Sequence, residues 1–251
     1  MKISIITVVY NNAEHIGDCL KSVTSQLYND IEYIVIDNES RDGTQDVINL
    51  YKDKITRLVS EKDKGHIYAM NKGIEMATGD VVGFLHSDDI YMNENIIGLV
   101  ADTFKNSSTD SLYGDLVYVK KDNIDKTVRF WRAGSYSPDS IKQGWMPPHP
   151  TFFVKREVYK KYGLLDTGFK ISMDYEIILR FLYKQKISVL YLPSVLVKMR
   201  SGGVSNRSIK NILVKTMEDY RAAKSYGLGV SAVIMKNIGK IPQCFCRTIY
   251  I

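Results

Sequence analysis

Ile3-Ser4-Ile5-Ile6-Thr7-Val8-Val9-Tyr10-Asn11-Asn12 is the stretch on which the fold turns. Ile3–Val9 is a β-rich apolar run, the pattern of a central parallel strand covered on both faces, and polar residues follow it at once. Downstream, Ile16, Leu20, Val23 and Leu27 recur at three- and four-residue spacing and predict a helix with one apolar face. Ile31–Ile36 reads as a second buried strand, and Asp42-Gly43 punctuates the turn after it. Val47, Ile48 and Tyr51 suggest a short helix, Thr56–Val59 a third strand, and Met70, Ile74 and Ala77 another helix face. Val81–Leu85 is the fourth strand, ahead of a helix carrying Ile96, Ile97, Val100 and Phe104. This alternation implies right-handed crossovers, a mostly parallel central sheet flanked by helices, and a Rossmann-like α/β class.

Regularity weakens after residue 110. Leu112–Val119 and Lys126–Trp131 read as antiparallel strands around Asp122-Asn123, and Tyr136–Pro150, rich in proline, glycine and aromatics, reads as loop. Asp174–Tyr183 is expected to be helical with Ile177, Ile178, Phe181 and Leu182 inward. Val189–Leu192 and Val195–Met199 look like two short strands, and Ser208–Tyr226 like a longer helix with Ile212, Leu213 and Tyr220 on one side.

At 251 residues, with 45% apolar and 25% charged content, the chain has the make-up of an ordinary globular protein and length enough for a sizeable core. Cys19, Cys244 and Cys246 cannot all pair and have no zinc-set spacing, so a reducing cytoplasm is the expected compartment. The first strand begins at Lys2, which leaves no room for a secretion signal. Apolar runs such as Val81–Leu85 and Ile96–Ala101 fall far short of the roughly 20 residues of a membrane helix. The formal charge is +6 and unevenly spread: from Arg200 onward nine basic residues face two acidic ones. Such a surface suits phosphates, nucleic acid or an anionic membrane face, or is simply solvated.

Open parallel sheets bind ligands at the carboxyl ends of their strands. Here those ends carry Tyr10, Asn11 and Asn12; Asp37, Ser40 and Asp42; Glu61 and Asp63; and Ser87, Asp88 and Asp89. Four polar clusters therefore converge on one edge. The Gly-x-Gly-x-x-Gly of a dinucleotide site and the Gly-Lys-Ser/Thr of a P-loop are both missing, so phosphate is expected to be held through a cation.

The motifs Thr7-Val8-Val9-Tyr10-Asn11, Ile36-Asp37-Asn38-Glu39-Ser40-x-Asp42-Gly43-Thr44, Ser60-Glu61-x-Asp63-x-Gly65, Met70-Asn71-Lys72-Gly73, Ala77-Thr78-Gly79-Asp80 and Ser87-Asp88-Asp89 occur in that order. Together they resemble the family 2 inverting glycosyltransferases of the A-type fold. Pro147-Pro148-His149-Pro150-Thr151, Met173-Asp174-Tyr175-Glu176 and Arg200-x-Gly202-Gly203-x-Ser205 extend the likeness, in the manner of the branch that builds bacterial surface polysaccharides, over roughly nine-tenths of the chain. The resemblance implies a nucleotide-sugar-binding half over residues 1–115, an acceptor-side half of the same catalytic domain over 116–229, and a basic apolar tail over 230–251.

Departure of a nucleotide diphosphate puts negative charge on the β-phosphate, which Mn²⁺ or Mg²⁺ can neutralise with one or two carboxylates as ligands. Asp88 and Asp89 supply these, and the resemblance favours Asp89 as the direct ligand; alternatively Ser87 or Asp88 caps the following helix. By resemblance Asp37 accepts from a uracil N3–H or a ribose, though an aspartate there can also shape the turn. Asp63 is expected to line the same pocket, Tyr10 to pack on the base or in the core, and Thr7, Val9, Asn11, Asn71 and Lys72 to complete the donor side. Arg200 would pair with the diphosphate, and Gly202-Gly203 would let that segment close as a lid.

Inversion needs a general base for the acceptor hydroxyl. The resemblance points to Asp174, with Glu176 as the fallback; a helix N-cap is the competing role for Asp174. His149 would touch acceptor or diphosphate, or be a satisfied loop histidine. Tyr68 stands where the family usually has aspartate, which leaves the sugar preference open.

The expected partners are a nucleotide-diphosphate sugar, UDP-hexose or UDP-N-acetylhexosamine, and a glycan or lipid-linked glycan acceptor, with no nucleic acid. The alternatives are a sugar-phosphate nucleotidyltransferase, which wants a glycine- and arginine-rich loop after the first strand, and a non-catalytic nucleotide- or glycan-binding protein. Residues 230–251 mix aliphatics and aromatics with Lys236, Lys240 and Arg247 and hold no acidic residue. That predicts peripheral contact with an anionic inner membrane face, or else packing on the domain or on a second copy in a homodimer.

Overall fold

The computed structural model describes residues 1–202 and 209–238. β1 (Ile3–Val9), β2 (Ile31–Asp37), β3 (Arg57–Ser60) and β4 (Val81–Phe84) pair in parallel in the order β3-β2-β1-β4. The four strand ends therefore do meet on one edge. β1 is buried on both sides because its residues alternate between two cores. Ile3, Ile5 and Val9 pack with α1 (Ile16–Thr24) and α4 (Ile96–Lys105). Ile6 packs with Ile67, Met70 and Ile74 of α3 (His66–Met76). Side-chain-free backbone lets these layers close up: a Cβ on Gly73 would sit 2.5 Å from Ile6 Cγ2, and one on Gly79 2.6 Å from Ser4 Oγ. Gly43, with φ +95°, starts α2 (Thr44–Asn49) in a conformation that glycine adopts without strain.

Beyond β4 the sheet turns mixed. β8 (Phe153–Lys155) runs antiparallel to β4 and to β6 (Ser111–Lys120), and β6 pairs in parallel with β9 (Val189–Arg200) and antiparallel with β7 (Asn123–Trp131). β5 (Ile90–Tyr91) closes that edge against β9. α5 (Pro138–Lys142), α6 (Arg156–Tyr162), α7 (Met173–Ile178), α8 (Ile209–Ser225) and α9 (Val230–Ile238) complete the described chain.

Several expectations are corrected here. Leu27 lies past the end of α1 and is 61% exposed. Tyr136–Pro150 is not all loop: Ser137 caps α5 in a capping box, and His149–Thr151 forms a 3₁₀ turn. The two short strands are one strand, β9, whose register steps opposite Asp115, where Pro193-Ser194 interrupts the ladder. The α7 helix runs on as a π-helical turn over Leu179–Lys184. On α8 the expected apolar side is the outer one: Ile212, Leu213 and Tyr220 are exposed, while Glu218, Asp219, Ala222 and Ala223 are buried. α9, the start of the basic tail, packs inward through Ala232, Val233 and Lys236. Residues 203–208 and 239–251, with Gly203, Ser205, Lys240, Cys244, Cys246 and Arg247, lie outside the described residues. Among the described residues no helix is long and apolar enough to cross a membrane.

Candidate active site

The donor side is built from strand ends tied to one another. Asp37, fully buried at the end of β2, accepts from Ser60 Oγ (2.6 Å), Gln45 Nε2 (3.0 Å) and the Ser40 amide (3.2 Å). Asn11 has φ +48°, a left-handed conformation that asparagine tolerates; its amide donates to Ser40 Oγ (2.8 Å) and its Oδ1 accepts from the Arg41 amide (2.9 Å). Asn12 joins the ends of β1 and β4 by donating from Nδ2 to Ser87 Oγ at 2.9 Å. Lys72 Nζ donates to Glu61 (2.5 Å) and Asp63 (2.7 Å), while the second oxygen of Asp63 is buried without a partner. Tyr10 is 61% exposed at this edge, an open ring and not a core residue. Tyr68 is 40% exposed in the first turn of α3.

Four expected donor residues sit differently. Thr7 and Val9 are buried, and the Thr7 hydroxyl donates to Leu85 O at 2.9 Å. Asn71 exchanges both halves of its amide with the Leu165 backbone at 2.9 Å each, so it fastens a loop. Arg200, 4% exposed, donates from Nη1 to Asp88 O (2.8 Å) and from Nε to Lys121 O (3.2 Å), and pairs with Asp18. Its guanidinium is committed to the backbone at Asp88 and Lys121 and to Asp18.

Asp89 is fully buried, and among the described residues neither carboxylate oxygen meets a donor in good hydrogen-bond geometry, the Arg200 backbone amide being the donor that acts on it. Burial pushes its pKa well above the usual carboxylate range, the Asp88 charge adds to this, and Arg200 offsets only part. An orphaned, all-oxygen donor of this kind fits a hard divalent cation whose other ligands come from phosphate and water. Among the described residues no group of three or more His, Cys, Asp or Glu could hold a metal, so the protein alone supplies an incomplete shell.

The acceptor side begins with α7. Ser172, not Asp174, occupies its N-cap, and Asp174 lies in the first turn, half-buried, with Oδ1 accepting from the Tyr175 amide at 2.7 Å. Glu176, the alternative base, is already committed to partners. It is buried, paired with Arg180 Nη2 (3.0 Å), and accepts from Tyr226 OH (2.5 Å). His149 is buried and stacks on Phe84 (5.8 Å, 25°) and His86 (6.0 Å, 26°). Burial lowers its pKa to about 4; Asp174 opposes that shift and His86 reinforces it. Burial likewise lowers His86 and His66, against the pull of Asp174 on both and of Asp88 on His86. Asp174 thus acts electrostatically on all three histidines, and Asp88 on His86 as well. His66 and His86 were not singled out from sequence, although His86 directly follows β4, where the strand-end rule applies.

The family model described as glycosyl transferase family 2 matches residues 4–168. The chain belongs to this family. A PGL/p-HBAD biosynthesis glycosyltransferase of Mycobacterium bovis is 25% identical over 237 residues, 92% of this chain and 88% of the relative. A glycosyltransferase of Rickettsia typhi is 29% identical over 231 residues, covering 88% and 69%. Among solved structures, the S. aureus TarS fragment 1–349 in complex with UDP-GlcNAc superposes with TM-score 0.68 at 16% identity, covering 98% of this chain and 73% of that one. A mannosyltransferase of Pyrobaculum calidifontis in complex with GDP-Man and Mn²⁺ gives 0.62 at 15% identity, covering 99% and 76%. The fold is therefore the A-type glycosyltransferase fold, and the chain is a glycosyltransferase. The nucleotidyltransferase reading is set aside by the family membership.

Proposed function

We propose that this glycosyltransferase moves a hexose or N-acetylhexosamine, with inversion, from a UDP-sugar to a hydroxyl of a lipid-linked glycan in surface polysaccharide synthesis. The observation that carries the reading is a pair of acidic groups left largely uncommitted, Asp89 and Asp174. Among the described residues neither oxygen of Asp89 has a well-formed hydrogen bond, whereas Asp174 is half-exposed and accepts only from its neighbour's amide. Asp89, with Asp88, would hold Mn²⁺ or Mg²⁺, which would neutralise charge on the departing diphosphate. Asp37, Asp63 and Tyr10 line the base and ribose side, and Lys72 fixes Asp63. Asp174 takes the acceptor proton as its oxygen attacks the sugar carbon. His149, kept neutral by burial, is suited to donate or accept a hydrogen bond at the acceptor without adding charge.

The same reading puts the enzyme at the cytoplasmic membrane face. Lys236 and Val233 of the tail are buried, so the contact would be made by Ile212, Leu213 and Met217 of α8 with Ile234, Met235 and Ile238 of α9, all exposed.

Two measurements test this. UDP at about 100 times Kd should raise stability by roughly 2.7 kcal/mol, several degrees in Tm, with Mn²⁺ or Mg²⁺ present and not without. Equal melting temperatures in both conditions at saturation would remove the donor assignment. Anionic vesicles should pellet the protein, less so at high salt; recovery in the supernatant at low salt would make the α8–α9 face a contact between protein copies.

A further inference from the structure

We infer that Glu218 is a positioning residue for transfer, acting by holding the segment that delivers Asp174; the inference rests on Asp174 being the base. Glu218 projects inward from α8 and is 9% exposed. Its Oε1 accepts from the Lys170 amide (2.8 Å), and its Oε2 from the amides of Ile171 (2.8 Å) and Ser172 (3.0 Å). One carboxylate thus gathers three consecutive amides, ending on the N-cap of α7, and Asp174 follows two residues later. No strand ladder holds these residues, so the carboxylate takes the place of one.

The neighbouring contacts converge on the same turn. Ser172 Oγ donates to Lys215 O at 3.2 Å. Asp219, fully buried, joins Lys215 of α8 to Lys236 of α9 at 2.7 Å each, and Lys236 Nζ lies 3.6 Å from the Tyr175 ring centroid. Ser172, Tyr175 and Glu176 are all held from α8, α9 or the residues just after α8. Asp174, between them, has no hydrogen bond or ion pair outside its own turn among the described residues.

Energetics argue that this arrangement serves geometry more than stability. α8 buries Glu218 and Asp219 while leaving Ile212, Leu213 and Met217 in the open. Buried charges return little net stability even when fully paired, and their best-attested use is to fix one arrangement among several. A base must hold its reach to the acceptor oxygen closely, and a shift of about 1 Å from a remote change can cost about 100-fold. The local electrostatics agree, since Glu218 and Asp174 both act on His66.

The test uses Glu218→Ala, Glu218→Gln, Asp174→Asn and the double variant Glu218→Ala/Asp174→Asn. Turnover is metal-dependent hydrolysis of whichever of UDP-glucose, UDP-galactose, UDP-GlcNAc or UDP-GalNAc the wild type hydrolyses fastest. Donor-side integrity is read as UDP affinity in Mn²⁺. Glu218→Ala should lower kcat about 100-fold with UDP affinity unchanged, and Glu218→Gln, which keeps one of the two accepting oxygens, should lower it about tenfold. In the Asp174→Asn background, Glu218→Ala should cost nothing more, because the two act through one group. Amide exchange over residues 168–178 should accelerate in Glu218→Ala. Wild-type kcat in a folded Glu218→Ala, an equal loss of UDP affinity, or a full multiplicative loss in the double variant overturns the inference alone. Wild-type turnover in Asp174→Asn overturns the base assignment and the inference with it. Should Glu218→Ala not fold, Glu218→Gln decides, with wild-type kcat the overturning result.

Discussion

Asp37 and Asp174, which we propose for the donor and acceptor sides of one site, are secured in opposite ways. Asp37 stands at the end of a seven-residue parallel strand, and Ser40, Gln45 and Ser60, all nearby on the same sheet edge, fill its lone pairs. Asp174 stands on a six-residue helix whose entry is held from α8, far along the chain. A regular βα frame generates its own ligand edge, since the sheet brings the strand ends together and short-range turns orient the side chains. An irregular frame has to import that order through long-range polar contacts. The donor half should therefore respond to mutation locally, and the acceptor half at a distance.

The largest expected effect tests the donor half where it is least satisfied. Asp89 has a folded-state pKa well above its unfolded one, so the folded chain binds protons more readily, and stability gains as pH falls toward the unfolded value. Above the unfolded value this carboxylate costs stability, as a buried charge or as the proton it must take up. Asp89→Asn should therefore stabilise the metal-free protein by about 1 kcal/mol or more, while lowering turnover about 1000-fold and removing the metal-dependent UDP response. Calorimetry of the metal-free pair, with turnover alongside, checks both signs. A destabilised Asn variant would mean that Asp89 has a partner in solution and is no orphan.

A smaller effect comes from His149. His149 has a folded pKa of about 4, below the ordinary value of 6.5, so the unfolded chain takes the proton first as pH falls. Its contribution to stability is complete above about pH 6.5, is lost progressively on acidification, and levels off below pH 4. Between pH 7 and pH 5 the loss should be about 2 kcal/mol from this residue, with Asp174 moderating it and His86 moving in the same direction. His149→Phe keeps a ring against Phe84 and should flatten the dependence of Tm on pH over that range, without abolishing it, because His66 and His86 are also held neutral. An unchanged slope would mean that the ring is solvated and charges freely in the native state.

The same contrast governs what could be read from the sequence. β1, β2, β4, α3 and α4 are legible because apolar periodicity reports directly on burial, and Asp37, Asp63, Asp88 and Asp89 follow from the strand-end rule. β8, only three residues long, and α6 behind it carry too short a signal to be read. β9 looks like two strands because Pro193 interrupts the β pattern, while its pairing with β6 bridges the gap. On α8 the apolar stripe points outward and the buried stripe carries Glu218 and Asp219, because ion pairs and backbone amides take the place of packing. Arg200 and Asn71 show the limit of residue type, which gives hydrogen-bonding capacity and not where it is spent; in the fold they bond to the backbone at Asp88 and Leu165.

Thr7 gives the finest test of that last point. It sits on β1 two residues before the strand ends, within the motif that marks the donor side, yet its side chain is fully buried. The hydroxyl donates to Leu85 O at 2.9 Å, which leaves Tyr33 OH, 3.1 Å away, to donate to it. Thr7→Val keeps the shape and β-branching but leaves the Tyr33 proton and the Leu85 carbonyl without that partner. The cost should be about 1 kcal/mol, read as a lower midpoint in urea at unchanged m. UDP affinity in Mn²⁺ should stay within about twofold of wild type, since a group enclosed by Tyr33 and Leu85 contributes nothing to a ligand directly. A tenfold loss of affinity would show that the bond to Leu85, just ahead of His86-Ser87-Asp88-Asp89, sets the placement of that loop, and the donor half would then share the long-range dependence assigned to Asp174.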